Sequence, residues 1–234
     1  VYSLFVPSDA STAFPVFDQP DLKARFQMEI DVPKEWSVVA NERREGTNTV
    51  ARPSHIIPVP IKEGLRRHYF APVLTPISTY VMAFAAGEFA KFNECNYLKN
   101  TSPLCASEDL KDKLLTSNIY VRKSQAEKFK QHAAETFRLN REAVRFLEEY
   151  FDYKFPFPKY DLVLIPEFPF GGMEHAGATF LRESSVIFPS EPTANDYISR
   201  GNLIFHEAAH QWFGDTVTMR WFDDLWLKEG FAEF

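Results

Sequence analysis

The sequence predicts an α+β chain: an N-terminal antiparallel β-sheet domain over residues 1–122, then a mainly helical domain over 123–234. Three observations carry this. Apolar and polar residues alternate in the first half, as in Phe26, Met28, Ile30 and Val32 against Gln27, Glu29 and Asp31, the pattern of a strand with one buried face. Prolines at 53, 58, 60, 72 and 76 exclude a helix between them. From Ser124 onward Phe129, Ala133, Phe137, Val144, Leu147 and Phe151 recur at near-helical spacing.

In chain order, Pro33-Lys34-Glu35 ends the first strand and Trp36 to Ala40 forms the next. Leu65 to Ala71 and Thr79 to Phe84 are further strands, and Gly87-Glu88-Phe89 turns into a last one. Ser124-Gln125-Ala126-Glu127 has the form of a capping box, in which the Ser oxygen takes a free N–H and the Glu reaches back. It opens a long helix, or two, over 124 to 151, ended by Phe155-Pro156-Phe157-Pro158. Tyr160 to Pro166 reads as a short buried strand, 195 to 213 as a helix, and another helix starts near Asp223.

Composition bounds the function. The chain is 45% apolar and 15% aromatic, enough to fill a core. Net charge is −6 and no run of Lys or Arg can track a phosphate backbone, so nucleic acid is not an expected partner. No apolar stretch reaches the roughly 20 residues of a membrane helix, and no basic-then-apolar leader is present. The chain opens at Val1 and closes at Phe234 just past a strong motif, so it reads as part of a longer protein. Cys95 and Cys105 stand in a polar segment, either as two thiols or as a bridge closing that loop. A bridge would favour an extracytoplasmic (periplasmic or secreted) location. Asn100-Thr101-Ser102 fits the glycosylation sequon.

His206-Glu207-Ala208-Ala209-His210 is H-E-x-x-H within the predicted helix over 195–213. Residues i and i+4 share a face, so both imidazoles can reach one cation, and Glu207 can point at water on it as general base. Glu229, in Trp226-Leu227-Lys228-Glu229-Gly230-Phe231, is the expected third ligand: eighteen residues separate it from His210, enough to end one helix and begin another. Two His and one Glu leave a fourth position open, as in a catalytic Zn²⁺ site. Asp215 is a candidate to orient a metal-bound His, or a plain helix-end Asp.

The sequence resembles the zinc aminopeptidases related to aminopeptidase N and leukotriene hydrolase (gluzincin metallopeptidases). The family pattern Gly-x-Met-Glu-Asn stands as Gly171-Gly172-Met173-Glu174-His175, about thirty residues before the zinc motif. Trp221 to Ala232 looks like the segment around the third ligand, and Ala13-Phe14-Pro15-Val16-Phe17-Asp18-Gln19-Pro20 is similar to the N-terminal domain. The resemblance implies a thermolysin-like catalytic domain, one Zn²⁺ on His206, His210 and Glu229, and hydrolysis of the N-terminal peptide bond of peptides with a free N-terminus. It further implies that Glu174 grips the substrate ammonium, with Gly171, Gly172 and Met173 along an extended substrate. Three departures stand out: His175 replaces Asn, Val6 falls where many members carry a second amine-binding side chain, and the family's oxyanion Tyr lies downstream of this chain. Two alternatives accompany the aminopeptidase reading: epoxide opening on the same zinc, as in leukotriene hydrolase, and a non-catalytic metal-binding scaffold.

Overall fold

The computed structural model describes residues 1–47, 60–97 and 117–233. Its first part is antiparallel, as the alternation predicts. β1 (Glu29–Pro33), β4 (Leu65–Phe70) and β3 (Arg44–Thr47) form one sheet in that order. β2 (Ser37–Ala40) pairs with β5 (Phe84–Gly87) in a second. Val32, Val38, Ala40, Phe70 and Ala86 bury a small core between them, with Met28, Ile30 and Trp36 packed on it.

The strand expected over Thr79 to Phe84 is not one. Thr79–Val81 forms a 3₁₀ turn with all three residues buried, and the strand begins only at Phe84. Side chains take over the backbone here. Asn41 accepts from the Ala83 N–H at 2.7 Å and donates to the carbonyls of Val81 and Ala176, both at 2.9 Å. Thr79 donates to Asp18 at 2.7 Å.

The larger sheet has the order β6 (Phe89–Asn93), β7 (Asn118–Arg122), β8 (Asp161–Ile165), β10 (Ala178–Arg182), β9 (Gly172–Met173). β7, β8 and β10 are mutually parallel, whereas β6 and β9 run antiparallel at the two edges. Every residue of β8 is buried, which its unbroken apolar run anticipates. The sheet therefore continues across residues 122 and 123, and the second part of the chain holds strands as well as helices. Chain and sheet together are α+β.

α1 (Ala126–Phe151) supplies the crossover that lets β7 and β8 run parallel. Its predicted stripe is buried at Phe129, Ala133, Phe137, Val144 and Leu147, joined by Thr136, Asn140 and Ala143, while Phe151 at its end is half-buried. It is one helix, and its start differs from expectation. Ser124 lies in a 3₁₀ turn (Lys123–Gln125), and the N-cap residue, Gln125, makes no side-chain cap bond. The chain leaves the helix through Asp152 in the left-handed region at φ 49°. After the single turn α2 (Glu183–Val186) come α3 (Ala194–His210), packed on α1, and α4 (Leu225–Glu233), packed on α3. Among the described residues no helix is long and apolar enough to cross a membrane.

Candidate metal centre

α3 begins with a capping box that the sequence reading overlooked. The Thr193 hydroxyl accepts from the Asp196 N–H, and the Asp196 carboxylate accepts from the Thr193 N–H at 2.7 Å. Seventeen residues later the helix ends at His210. Ile204, Ala208 and Ala209 pack into the core with Trp212, and His206, Glu207 and His210 line a cleft of about 970 Å³. A tight turn follows, closed by hydrogen bonds from Gly214 to Val217 and from Val217 to Trp212, both 2.8 Å. The chain then returns through a 3₁₀ turn (Phe222–Asp224) into α4, which carries Glu229 to the same cleft.

The three expected ligands converge. His206 Nε2 and His210 Nε2 are 3.0 Å apart, and Glu229 Oε2 lies 3.4 Å from each. A tetrahedral zinc with donors at about 2.0–2.1 Å sets them about 3.3 Å apart. The other ring nitrogens reinforce the fit. His210 Nδ1 donates to the Phe213 carbonyl at 2.9 Å, and His206 Nδ1 lies 3.2 Å from Glu233 Oε1, at ion-pair distance but outside hydrogen-bond geometry. With both Nδ1 atoms facing acceptors, both Nε2 atoms present lone pairs to one another and to a carboxylate. Three such donors repel unless a cation sits among them. The residues present therefore fit a metal ion.

Asp215 does not orient His210; the Phe213 carbonyl has that place. Asp215 is 1% exposed, and neither of its carboxylate oxygens has a hydrogen-bond partner. Burial, then the Glu174 charge, pushes its pKa well above the usual range.

Glu207 is buried, with Oε2 lacking a hydrogen-bond partner. Burial, and next the nearby Glu174, drives its carboxyl well above its ordinary 4.5. Gly172 makes room for it: a Cβ there would stand 2.2 Å from Glu207 Oε1, so no other residue fits without moving the carboxylate. β9, which holds Gly172 and Met173, pairs with β10 on one side and forms the edge of the sheet on the other. Gly171 follows the same line, its carbonyl accepting from the Arg182 N–H at 2.8 Å.

Glu174 lies 2.7 Å from the Lys228 ammonium, as a charge contact without aligned hydrogen-bond geometry. Burial pushes its carboxyl up, but the attraction of Lys228, then of His210, outweighs this and holds it below the usual value. Gln211 ties the motif to the metal helix: its amide donates to the Glu174 carbonyl at 3.0 Å and accepts from the Gly177 N–H at 2.9 Å. His175 is fully buried against Phe180, ring centroids 4.3 Å apart, and neither ring nitrogen has a hydrogen-bond partner. Val6 lines the cleft, as its sequence position suggests. Sequence reasoning missed Lys228, Gln211 and Glu233. Burial of a Lys leaves no mark in a single sequence, and only adjacency to Glu229 hinted at Lys228.

A mixed sheet whose edge strand borders a His–His–Glu cluster on two helices defines the metallopeptidase class. Comparison with known proteins agrees. The Peptidase M1 N-terminal domain matches residues 1–57 and the Peptidase family M1 domain matches residues 135–234. The chain is 37% identical to aminopeptidase N of Streptomyces lividans over its whole length, covering 24% of that protein. It is 35% identical to probable M1 family aminopeptidase 1 of Encephalitozoon cuniculi (99% of this chain, 24% of that one). It is 34% identical to human endoplasmic reticulum aminopeptidase 1 (98% and 21%). The chain belongs to peptidase family M1. It spans about a quarter of the length of the curated relatives it matches.

Proposed function

We propose that the protein is a zinc-dependent aminopeptidase that hydrolyses the first peptide bond of peptides with a free N-terminus. The observation that carries this is the convergence of His206, His210 and Glu229 beside Glu207, with Glu174 on the same cleft. His206, His210 and Glu229 would hold the zinc, which supplies Lewis-acid polarisation of the scissile carbonyl and acidification of water.

The chain's own groups do the rest. Glu207, with an unpartnered oxygen and a raised proton affinity, is suited to take a proton from the attacking water and pass it to the leaving amine. Glu174 binds the substrate ammonium by a charge-assisted hydrogen bond, which fixes the first peptide bond, and no later one, over the metal position. The β9 edge at Gly171, Gly172 and Met173 adds backbone hydrogen bonds to an extended substrate. The edge strand and the two helices that carry the donors support a thermolysin-like catalytic domain. The relatives named above are aminopeptidases, which favours peptide hydrolysis over epoxide opening, and the intact ligand set with Glu207 favours an enzyme over a scaffold. Cys95 is disulfide-bonded; Cys105 lies outside the described residues. The bridge supports an extracytoplasmic location.

The test is metal analysis of the full protein together with hydrolysis of aminoacyl anilides and of their N-acetylated forms. Stoichiometric zinc and cleavage of the free-amine substrates alone are expected. Equal cleavage of both substrate sets would remove Glu174 as the amine anchor, and absence of bound zinc would remove the mechanism.

A further inference from the structure

One buried ammonium touches both working parts of the cleft. Lys228 is 5% exposed and directly precedes Glu229 on α4. Its Nζ lies 2.7 Å from Glu174 Oε1 and donates to Glu229 Oε1. The other oxygen of Glu229, Oε2, faces the two imidazoles. The ammonium thus divides Glu229 between two tasks, one oxygen restrained and the other presented to the metal position. Its stem is fixed as well. Nζ lies 6.0 Å from the centre of the Tyr80 ring, and Cδ lies 3.3 Å from where a Cβ on Gly214 would stand. A second cation, Lys23, donates instead to the backbone carbonyls of Asp215 and Thr216. Lys228 is therefore the counter-charge placed between Glu174 and Glu229.

Resting on the zinc aminopeptidase reading, we propose that Lys228 is a positioning residue joining the amine anchor to the metal centre. It turns Glu229 Oε2 toward the metal and holds the Glu174 carboxylate beside it, so the two sites are coupled through one side chain. Outer partners that orient metal ligands typically change metal affinity by about 10–100-fold when removed. Glu174 is not a ligand, yet it shares Lys228 with one. Loss of its charge lets the ammonium settle wholly on Glu229 and weakens metal binding by that route.

The experiment measures zinc affinity of the full protein, by competition with a chromogenic chelator, for the unaltered form, K228M, E174Q and the double variant. K228M is expected to bind zinc about 10–100-fold more weakly. E174Q is expected to weaken binding several-fold, and to have no further effect once Lys228 is replaced, because the coupling runs through that ammonium. At saturating zinc, K228M should raise KM for aminoacyl anilides more than it lowers kcat. Unaltered zinc affinity in K228M, or an E174Q effect of the same size with and without Lys228, overturns the proposal. K228Q replaces K228M if the latter does not fold, with the same expectations and the same overturning results. Failure of the unaltered protein to bind zinc overturns the aminopeptidase reading itself, and the proposal with it, a result distinct from the other two.

Discussion

Glu207 has a carboxylate oxygen with no hydrogen-bond partner and a glycine pressed against the other. Glu207→Gln keeps the shape and removes the proton acceptor, so kcat should fall about 10²–10⁴-fold while zinc content stays unchanged. Steady-state kinetics with metal analysis decides it; near-normal turnover refutes the base assignment. Gly172→Ala tests the same contact from the other side. Its methyl would meet Glu207 at 2.2 Å, so the carboxylate must shift by about an ångström, a displacement that costs about 100-fold in rate. His175 carries a pH signature. Burial pushes its pKa down from 6.5 to about 4, only partly opposed by Glu174. The unfolded chain therefore takes up this proton first, and stability contributed by the neutral ring is lost as pH falls from about 6.5 toward 4, by about 3 kcal/mol across the window. His175→Asn should flatten that part of the stability profile in urea titrations; an unchanged slope would exclude His175 as its source. His206, Glu207 and His210 were legible because helix geometry fixes their spacing; Glu229, on a second helix, was legible only from the distance that leaves room for a turn. Lys228 and Gln211 were not, because a single sequence does not say which polar side chains are turned inward.

At the level of elements, the three longer helices and the strands β1, β2, β4 and β8 were readable, whereas β7 and β10, as long as β8, were not. α1 and β8 announce themselves through an apolar stripe and an apolar run. β9 has two residues, too few for any period, and β3 is too polar to show one. The missed turn at Thr79–Val81 depends on Asn41, some forty residues away, which local pattern cannot see. Ser124 and Glu127 have the right types for a capping box, but the box forms at Thr193 and Asp196. Thr193→Ala should thus destabilise the protein by about 1 kcal/mol, whereas Ser124→Ala should be near neutral. Urea midpoints at constant slope distinguish them; equal effects would contradict the assigned caps. Since α3 carries both imidazoles, the Thr193 variant should also bind zinc slightly less well.

For the whole molecule, the α+β class was apparent from periodicity. The run of one sheet through β6 to β10 was not, because strand order is set by tertiary pairing. The ligand cluster spans α3 and α4, so a metal there would add a further tie between two helices already packed on each other. Zinc at about 1,000 times its dissociation constant should stabilise the protein by about 4 kcal/mol. Calorimetry with and without chelator checks this, and an unfolding temperature indifferent to both would argue against a metal shared between the helices.

The cleft is bounded by Val6 near one end of the described chain and by Glu233 near the other. Contacts so distant along the chain are among the costliest to close. The three donors of the cluster come from one stretch, 206–229, whereas the walls around them are drawn from both ends of the described residues, so the donors can meet locally while the enclosure that shields them waits on long-range closure.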